Sequence, residues 1–228
     1  MAEIQDQHWW FERQRMLIKK YINNLQAEDM VLDLGCGTGA NLILFPRQGI
    51  GLDREFLALQ ISRNKGLSRL VQADAHNLPF KDETFAVVII TQVLYHQKIR
   101  REEKVLQEVK RVLRKGGRLL LAEPAFEILR REHDRVEHTR KRYQREEIRN
   151  LLEKCGFRIL KISYLYPVLF PVMLLRKLYP GRKGKVDLYL PPSLINTFLL
   201  SISHLENFFL SFVSYPIGSS IGVLAIRD

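Results

Sequence analysis

The segment Val31-Leu32-Asp33-Leu34-Gly35-Cys36-Gly37-Thr38-Gly39-Ala40-Asn41-Leu42 holds the densest chemical signal in the chain. A short apolar strand runs into a loop with glycine at every second position, and a helix is expected after it. Gly35 and Gly37 let the backbone turn sharply and approach a ligand closely. The N-terminus of the expected helix would offer free N–H groups to an acceptor or anion. Asp53 closes the next strand, where a carboxylate can hold both hydroxyls of a ribose. Two cofactor classes use this geometry, and a tight structural turn without a ligand is the plain alternative. NAD is one class, since Gly35, Gly37 and Ala40 satisfy the loose dinucleotide fingerprint. S-adenosylmethionine is the other, and three features favour it. Asp33 would repel a pyrophosphate but welcome an ammonium or sulfonium. Gly39 adds a third alternate glycine that NAD sites do not ask for. Asp74 is expected to end the third strand in the same register, ready to accept from an adenine amine.

These residues need a parallel sheet to carry them. Short apolar runs at Met30–Leu34, Ile50–Asp53, Leu70–Asp74, Phe85–Ile90, Arg118–Ala122, Phe157–Ser163 and Ile221–Ile226 read as strands. An aromatic-rich amphipathic helix is expected over 8–25. Another is expected over 101–115, with Gly116-Gly117 as its stop, and a third over 144–155. Strands that alternate with helices imply a doubly wound α/β sheet with helices on both faces.

At this point the sequence resembles a family, the class I S-adenosylmethionine-dependent methyltransferases, and within it a bacterial subgroup of the type 11 kind. Asp33-Leu34-Gly35-Cys36-Gly37-Thr38-Gly39 matches the family's first motif. Ala73-Asp74-Ala75-His76-Asn77-Leu78-Pro79-Phe80 matches the segment after its third strand, and Leu106–Gly117 the helix and turn before its fifth. His8-Trp9-Trp10-Phe11-Glu12-Arg13, Glu123-Pro124-Ala125, His133-Asp134, His138–Tyr143 and Pro216–Ser220 are similar to the subgroup. The resemblance implies seven mostly parallel strands, the last antiparallel and inserted between the fifth and sixth. It implies S-adenosylmethionine held by Asp33, Gly35, Cys36, Gly37, Gly39, Asp53, Arg54, Asp74, Ala75 and Thr91, with Arg15 near the cofactor carboxylate. There are departures. Phe85-Ala86 stands where Phe-Asp is usual, Gln92 where an acid is usual, and Tyr95-His96 where Glu-His is usual, which removes one candidate acid near the reacting methyl.

Methyl transfer asks a protein to align a nucleophile, exclude water and sometimes remove a proton. A base with a pKa near 7 suits the last task. His96 follows the fourth strand, and His133 and His138 follow the fifth, all on the rim where ligands bind in such sheets. Tyr143 could donate a hydrogen bond or act with a histidine. Each of these four also reads as an ordinary surface or structural residue. No zinc spacing, no phosphate-binding Gly-x-x-x-x-Gly-Lys-Ser/Thr and no Asn-Pro-Pro-Tyr-like tetrad occurs, and no metal is expected.

The chain has 228 residues, 46% apolar and 27% charged, which excludes a disordered chain and a disulfide scaffold. Its two cysteines, Cys36 and Cys155, fit reduced thiols of a cytoplasmic protein. The segment Met1–Asp6 does not have the pattern of a signal peptide. Net charge is +11, concentrated over 98–161, where 20 Lys/Arg meet 11 Asp/Glu. This basic middle suits RNA, an anionic membrane or a plainly solvated surface. It lacks the exposed aromatics of a stacking platform, so a nucleic acid is the second choice. The first is a small-molecule or lipid-linked acceptor, methylated at O or N. A third reading is a protein that binds the cofactor without catalysis.

Four regions are expected: 1–28 as an N-terminal helical lid or packed cap, 29–162 as the cofactor-binding core, 163–217 as an apolar helical insertion, and 218–228 as the closing strand. The insertion has two apolar helical blocks, Val168–Leu178 and Ser193–Ser214, around a basic turn, Pro180–Lys185. Arg176, Lys177, Arg182, Lys183 and Lys185 gather at one end of the first block, as in a helix lying on an anionic bilayer. A homodimer interface or a packed subdomain would hide the same residues. No stretch is apolar and long enough to be expected to span a membrane.

Overall fold

In the computed structural model, which describes residues 8–22, 25–178 and 191–228, seven strands form one sheet in the order β3-β2-β1-β4-β5-β7-β6. They are β1 (Val31–Leu34), β2 (Gly49–Asp53), β3 (Leu70–Gln72), β4 (Phe85–Thr91), β5 (Leu113–Pro124), β6 (Phe157–Leu165) and β7 (Ser220–Arg227). Strands β1 to β5 pair in parallel, and β7 runs antiparallel between β5 and β6, as the resemblance implies. The helices are α1 (Trp9–Tyr21), α2 (Phe56–Asn64), α3 (Glu102–Val112), α4 (Glu132–Val136), α5 (Arg145–Lys154), α6 (Leu169–Leu178) and α7 (Ser193–Phe209). The basic turn expected over Pro180–Lys185 lies outside the described residues.

Alternation along the strands places helices on both faces. Ile18 and Ile22 of α1 pack with Val31, Val87, Ile89 and Leu120 on one side. Val105, Leu106 and Val109 of α3, with Ile148 and Leu152 of α5, pack with Leu32, Val88, Ile90 and Leu121 on the other. Complete burial of such side chains contributes about 1.5–3 kcal/mol each, so β1 and β4 are held rigidly from both faces. The order of the strands reverses between β1 and β4, and ligands bind at the carboxyl ends of strands beside such a switch point.

Three local expectations are corrected. No α-helix follows the glycine loop, only a 3-10 turn over Leu42–Leu44. Pro46 lies too close, since a proline lacks an N–H and disfavours a helical residue before it, and Phe45 is already non-helical (φ −132°, ψ 58°). Gly116-Gly117 does not stop α3. The helix ends at Val112, and Leu113 already pairs with Phe85, so β5 runs through both glycines with a bulge opposite Phe85–Val87 and Gly116 at φ 71°. Asp74 is not in β3, which ends at Gln72.

Candidate functional site

The carboxyl end of β1 presents Asp33, 1% exposed. Its Oδ1 faces the Asn41 amide at 3.4 Å, while Oδ2 is buried without a hydrogen-bond partner. Burial pushes the Asp33 carboxyl up to about 7, opposed by the Asn41 hydrogen bond and reinforced by the nearby Asp53 charge. An unpartnered buried acid is costly unless a ligand supplies a donor or cation. Asn41 also donates to the Thr91 hydroxyl at 3.1 Å, which ties the end of β4 to the same corner.

Gly35, Gly37 and Gly39 all have positive φ (74°, 53° and 80°), a region that costs any residue with a side chain. Their surroundings differ. A Cβ on Gly35 would strike Val93 at 2.4 Å, and one on Gly39 would strike Leu67 at 2.3 Å. A Cβ on Gly37 would project into open space. Two of the glycines therefore let loops pack closely, and the middle one leaves open space beside it. Asp53 is bonded to that same loop. Its Oδ2 accepts the Gly37 N–H and its Oδ1 the Glu55 N–H, both at 2.8 Å. Each oxygen keeps a further lone pair for a hydroxyl.

Cys36 is buried against this corner with its thiol pushed up by burial, so it packs rather than reacts. Ala75 is buried in the main core. Asp74 is held by the His76 N–H at 2.9 Å, by the His76 ring at 2.6 Å and by Arg54 at 3.4 Å, which keeps its carboxyl below the usual range. Arg15 is buried on α1 and forks onto Glu12 at 2.7 and 3.0 Å. Helix α1 is packed through its aromatics, with Trp9 edge-on to Tyr166 and Leu17 in the cluster of Leu165, Tyr166 and Leu210.

The four candidate catalytic residues separate. His96 and His138 meet on the rim, their ring centroids 5.9 Å apart, where residues 96 and 139 bridge the loops after β4 and β5. Nδ1 of His96 accepts the Lys98 N–H at 3.1 Å, which places the proton of the neutral ring on Nε2. Burial and the neighbouring Lys98 and His138 hold the His96 imidazole below its ordinary value. Lys98 also pairs with Glu55, so this loop reaches the residue that Asp53 caps. His138 is exposed and held at φ 52°. His133, on α4, is half-buried with an Nδ1 that has no hydrogen-bond partner. Tyr143 does not join them. It is fully buried, its hydroxyl donates to Glu102 at 2.5 Å, and burial pushes its phenol well up. A bidentate pair between Arg142 and the buried Asp134, at 2.7 and 3.1 Å, fastens the excursion that carries His133 and His138.

One buried acid of this rim was not among the expected site residues. Glu123, at the end of β5, has no exposed surface. Its Oε1 accepts the Val93 and Leu94 N–H groups at 3.1 and 2.9 Å, and its Oε2 accepts the Tyr95 N–H at 3.2 Å. This carboxyl moors the loop from Gly35's neighbour Val93 to His96. Its only sequence signal was its place in Glu123-Pro124-Ala125. Backbone strain marks the same rim: Gln92, Phe126 and Tyr166, just past β4, β5 and β6, all have φ near 60°.

Residues 32–121 match a family model described as a methyltransferase domain. That central segment is a methyltransferase domain, similar to the S-adenosylmethionine-dependent methyltransferases. An Arabidopsis thaliana tRNA (carboxymethyluridine(34)-5-O)-methyltransferase is 35% identical over 106 residues, 46% of this chain and 26% of that protein. An uncharacterised Methanocaldococcus jannaschii protein is 37% identical over 105 residues, 46% of this chain and 39% of its own. The chain spans about half or less of the length of the curated relatives it matches. The geranyl diphosphate C-methyltransferase of Streptomyces coelicolor shares the fold at a TM-score of 0.66 and 13% identity, covering 95% of this chain and 77% of that one. The [4+2]-cyclase SpnF shares it at 0.62 and 20%, covering 95% and 81%. The family's cofactor, S-adenosylmethionine, fits the residues present. Asp33 Oδ2 lacks a donor and the methionine end of the cofactor carries an ammonium. The clear space at Gly37 lies beside the ribose-type acid Asp53.

Occupancy should therefore depend on the Asp33 charge. A carboxyl near 7 is roughly one-tenth ionised at pH 6 and nine-tenths at pH 8. Affinity for S-adenosylhomocysteine is expected to rise by up to about tenfold between these pH values, because the ligand's ammonium prefers the ionised acid. Calorimetry at both pH values checks this, and an Asp33→Asn variant should bind weakly with a flat profile.

Proposed function

We propose that this protein transfers the methyl group of S-adenosylmethionine to a small-molecule or lipid-linked acceptor, at O or N, by direct in-line displacement. The observation that carries the reading is the joined rim, where His96, on the loop moored by Glu123, meets His138 of the excursion after β5. When bound, the cofactor supplies an already activated methyl group. The chain's own work is to orient, exclude water and manage one proton. Asp33, Gly37 and Asp53 hold the cofactor ends. With its Nε2 protonated, His96 serves as a donor to the acceptor rather than as a base, and His138 takes the acceptor's proton at its imidazole. His133 stands in the same excursion as an alternative base.

The insertion over 163–217 shapes the acceptor side in this reading. Phe170 of α6 meets Phe126 edge-on at 5.5 Å, and Phe126 stacks on Tyr164 at 4.7 Å, so the insertion leans on the loop that leads to the histidines. The N-terminal helix caps the neighbouring side through Trp9 and Tyr166.

Extracts incubated with isotope-labelled cofactor and resolved by mass spectrometry identify the acceptor class. On that acceptor, His138→Gln is expected to lower kcat by about 10²–10⁴-fold while cofactor affinity stays unchanged. Unchanged kcat would remove His138 from the mechanism. A tRNA acceptor is the second reading, favoured by the similarity to the Arabidopsis tRNA methyltransferase and by the basic stretch over 98–161. Label recovered in RNA rather than in small molecules would establish it over the first.

A further inference from the structure

Helix α7 turns the wrong side outward. Soluble helices bury their apolar stripe and expose their polar one. Here Leu194, Phe198, Leu205, Phe208 and Phe212 recur at intervals of 3, 4 or 7 residues, along one line of the helix and its C-terminal turn, and each is 59–86% exposed. Three polar side chains turn inward, while Thr197, Ser201 and His204 stay exposed. Asn196 accepts the Trp9 N–H at 3.0 Å, and Asn207 accepts from Arg13 at 3.0 Å. Glu206, 5% exposed, accepts the Val168 N–H at 3.1 Å. The inner face is thus occupied by hydrogen bonds to α1 and to the entry of α6, and cannot take the outer stripe in by rotating. Val172 and Leu175 of α6 add exposed apolar surface to the insertion. Patches of this kind mark interaction sites.

We infer that the outer face of α7, with α6, docks on an anionic lipid surface. The charge pattern selects this occupant over a second copy. Glu206 is the only formal charge from Leu188 to Ile226, and it is buried, so the face itself carries none. The chain as a whole carries +11, and Arg176, Lys177, Arg182, Lys183 and Lys185 precede α7 in sequence. At +11 each, two copies repel one another at long range, whereas an anionic bilayer attracts the chain. The depth is also set. Helix α7 has 17 residues, about 25 Å at 1.5 Å per residue. No described helix is long and apolar enough to cross a membrane. The face therefore lies in the interface, with phenylalanines toward the acyl chains. This inference goes beyond the methyl-transfer reading and does not need it.

Flotation of the full chain with vesicles tests it, without cofactor or acceptor. Mixed phosphatidylglycerol–phosphatidylcholine vesicles are expected to carry the protein, and pure phosphatidylcholine vesicles to carry several-fold less. Raising NaCl from 0.1 to 0.5 M should weaken binding several-fold through screening. The triple variant Phe198→Ser, Phe208→Ser, Phe212→Ser should partition at least about tenfold less. Its circular dichroism and S-adenosylhomocysteine affinity should match the parent's. Should the triple variant misfold, Leu194→Glu, at the most exposed position, serves instead. Vesicle binding unchanged in the folded variant overturns the inference. So does a parent protein that stays off anionic vesicles, whether light scattering finds it dimeric, with the stripe as its own interface, or monomeric.

Discussion

Asp53→Ala is expected to lower S-adenosylhomocysteine affinity by about 2–4 kcal/mol, roughly 30- to 1000-fold. Two losses combine. The ribose hydroxyls lose a charged acceptor, and the glycine loop loses the carboxylate that fixes the Gly37 and Glu55 N–H groups at 2.8 Å. Asp53→Asn, which keeps the shape without the charge, should fall between. Gly37→Val is expected to abolish binding altogether. Its φ of 53° strains a β-branched residue, and its side chain would take up the open space assigned to the cofactor, where nothing of the protein lies within 4 Å of a Cβ. Calorimetry reads both variants. Parent-like affinity in Asp53→Ala would displace the ribose assignment, and tight NADH binding would overturn the cofactor itself.

Glu123→Ala is expected to destabilise the fold by about 3–5 kcal/mol. It leaves the Val93, Leu94 and Tyr95 N–H groups facing an empty, buried acceptor site. The figure is a part of the penalty for three unsatisfied donors, because removing a buried carboxyl also relieves its desolvation. Glu123→Gln keeps the oxygen that serves two donors and should lose less. Denaturant unfolding measures both. The pH dependence has a definite sign. Burial raises the folded Glu123 carboxyl to about 8 against the hydrogen bonds that favour its ionised form. A raised acid binds its proton more tightly when folded, so its contribution is complete below the ordinary carboxyl range and is lost as the pH rises toward 8. The gap between the parent and Glu123→Gln should therefore narrow between pH 5 and 8. A gap that widens would show that the three N–H donors outweigh burial.

Much of the cofactor half was legible because it depends on local backbone chemistry. Alternating glycines, the acid Asp53 closing the next strand and uninterrupted apolar runs are properties of short windows. They gave the class of cofactor, the order of the elements and the placing of β7 through a family resemblance. The apolar blocks of the insertion were visible for the same reason, and α6 and α7 lie within them. What windows cannot report is which partner a side chain meets. Tyr143 and His138 stand five residues apart in one subgroup motif, yet one donates to Glu102 in the core and the other stands on the rim. Glu123 follows the apolar run Leu119–Ala122, and only the crossover between β4 and β5 brings three N–H groups to it. The short reach from Gly39 to Pro46 replaced an expected helix by one turn.

Helix α7 marks the boundary most clearly. Its sequence determined an apolar amphipathic helix, since that follows from spacing alone. Which stripe faces the protein was decided by the tertiary structure. Asn196, Glu206 and Asn207 find Trp9, Val168 and Arg13 only after α1 and α6 have been brought beside them. Buried polar groups must be bonded, whereas apolar ones need only be kept from water. The inward hydrogen bonds therefore fixed the helix rotation and left the phenylalanines outside.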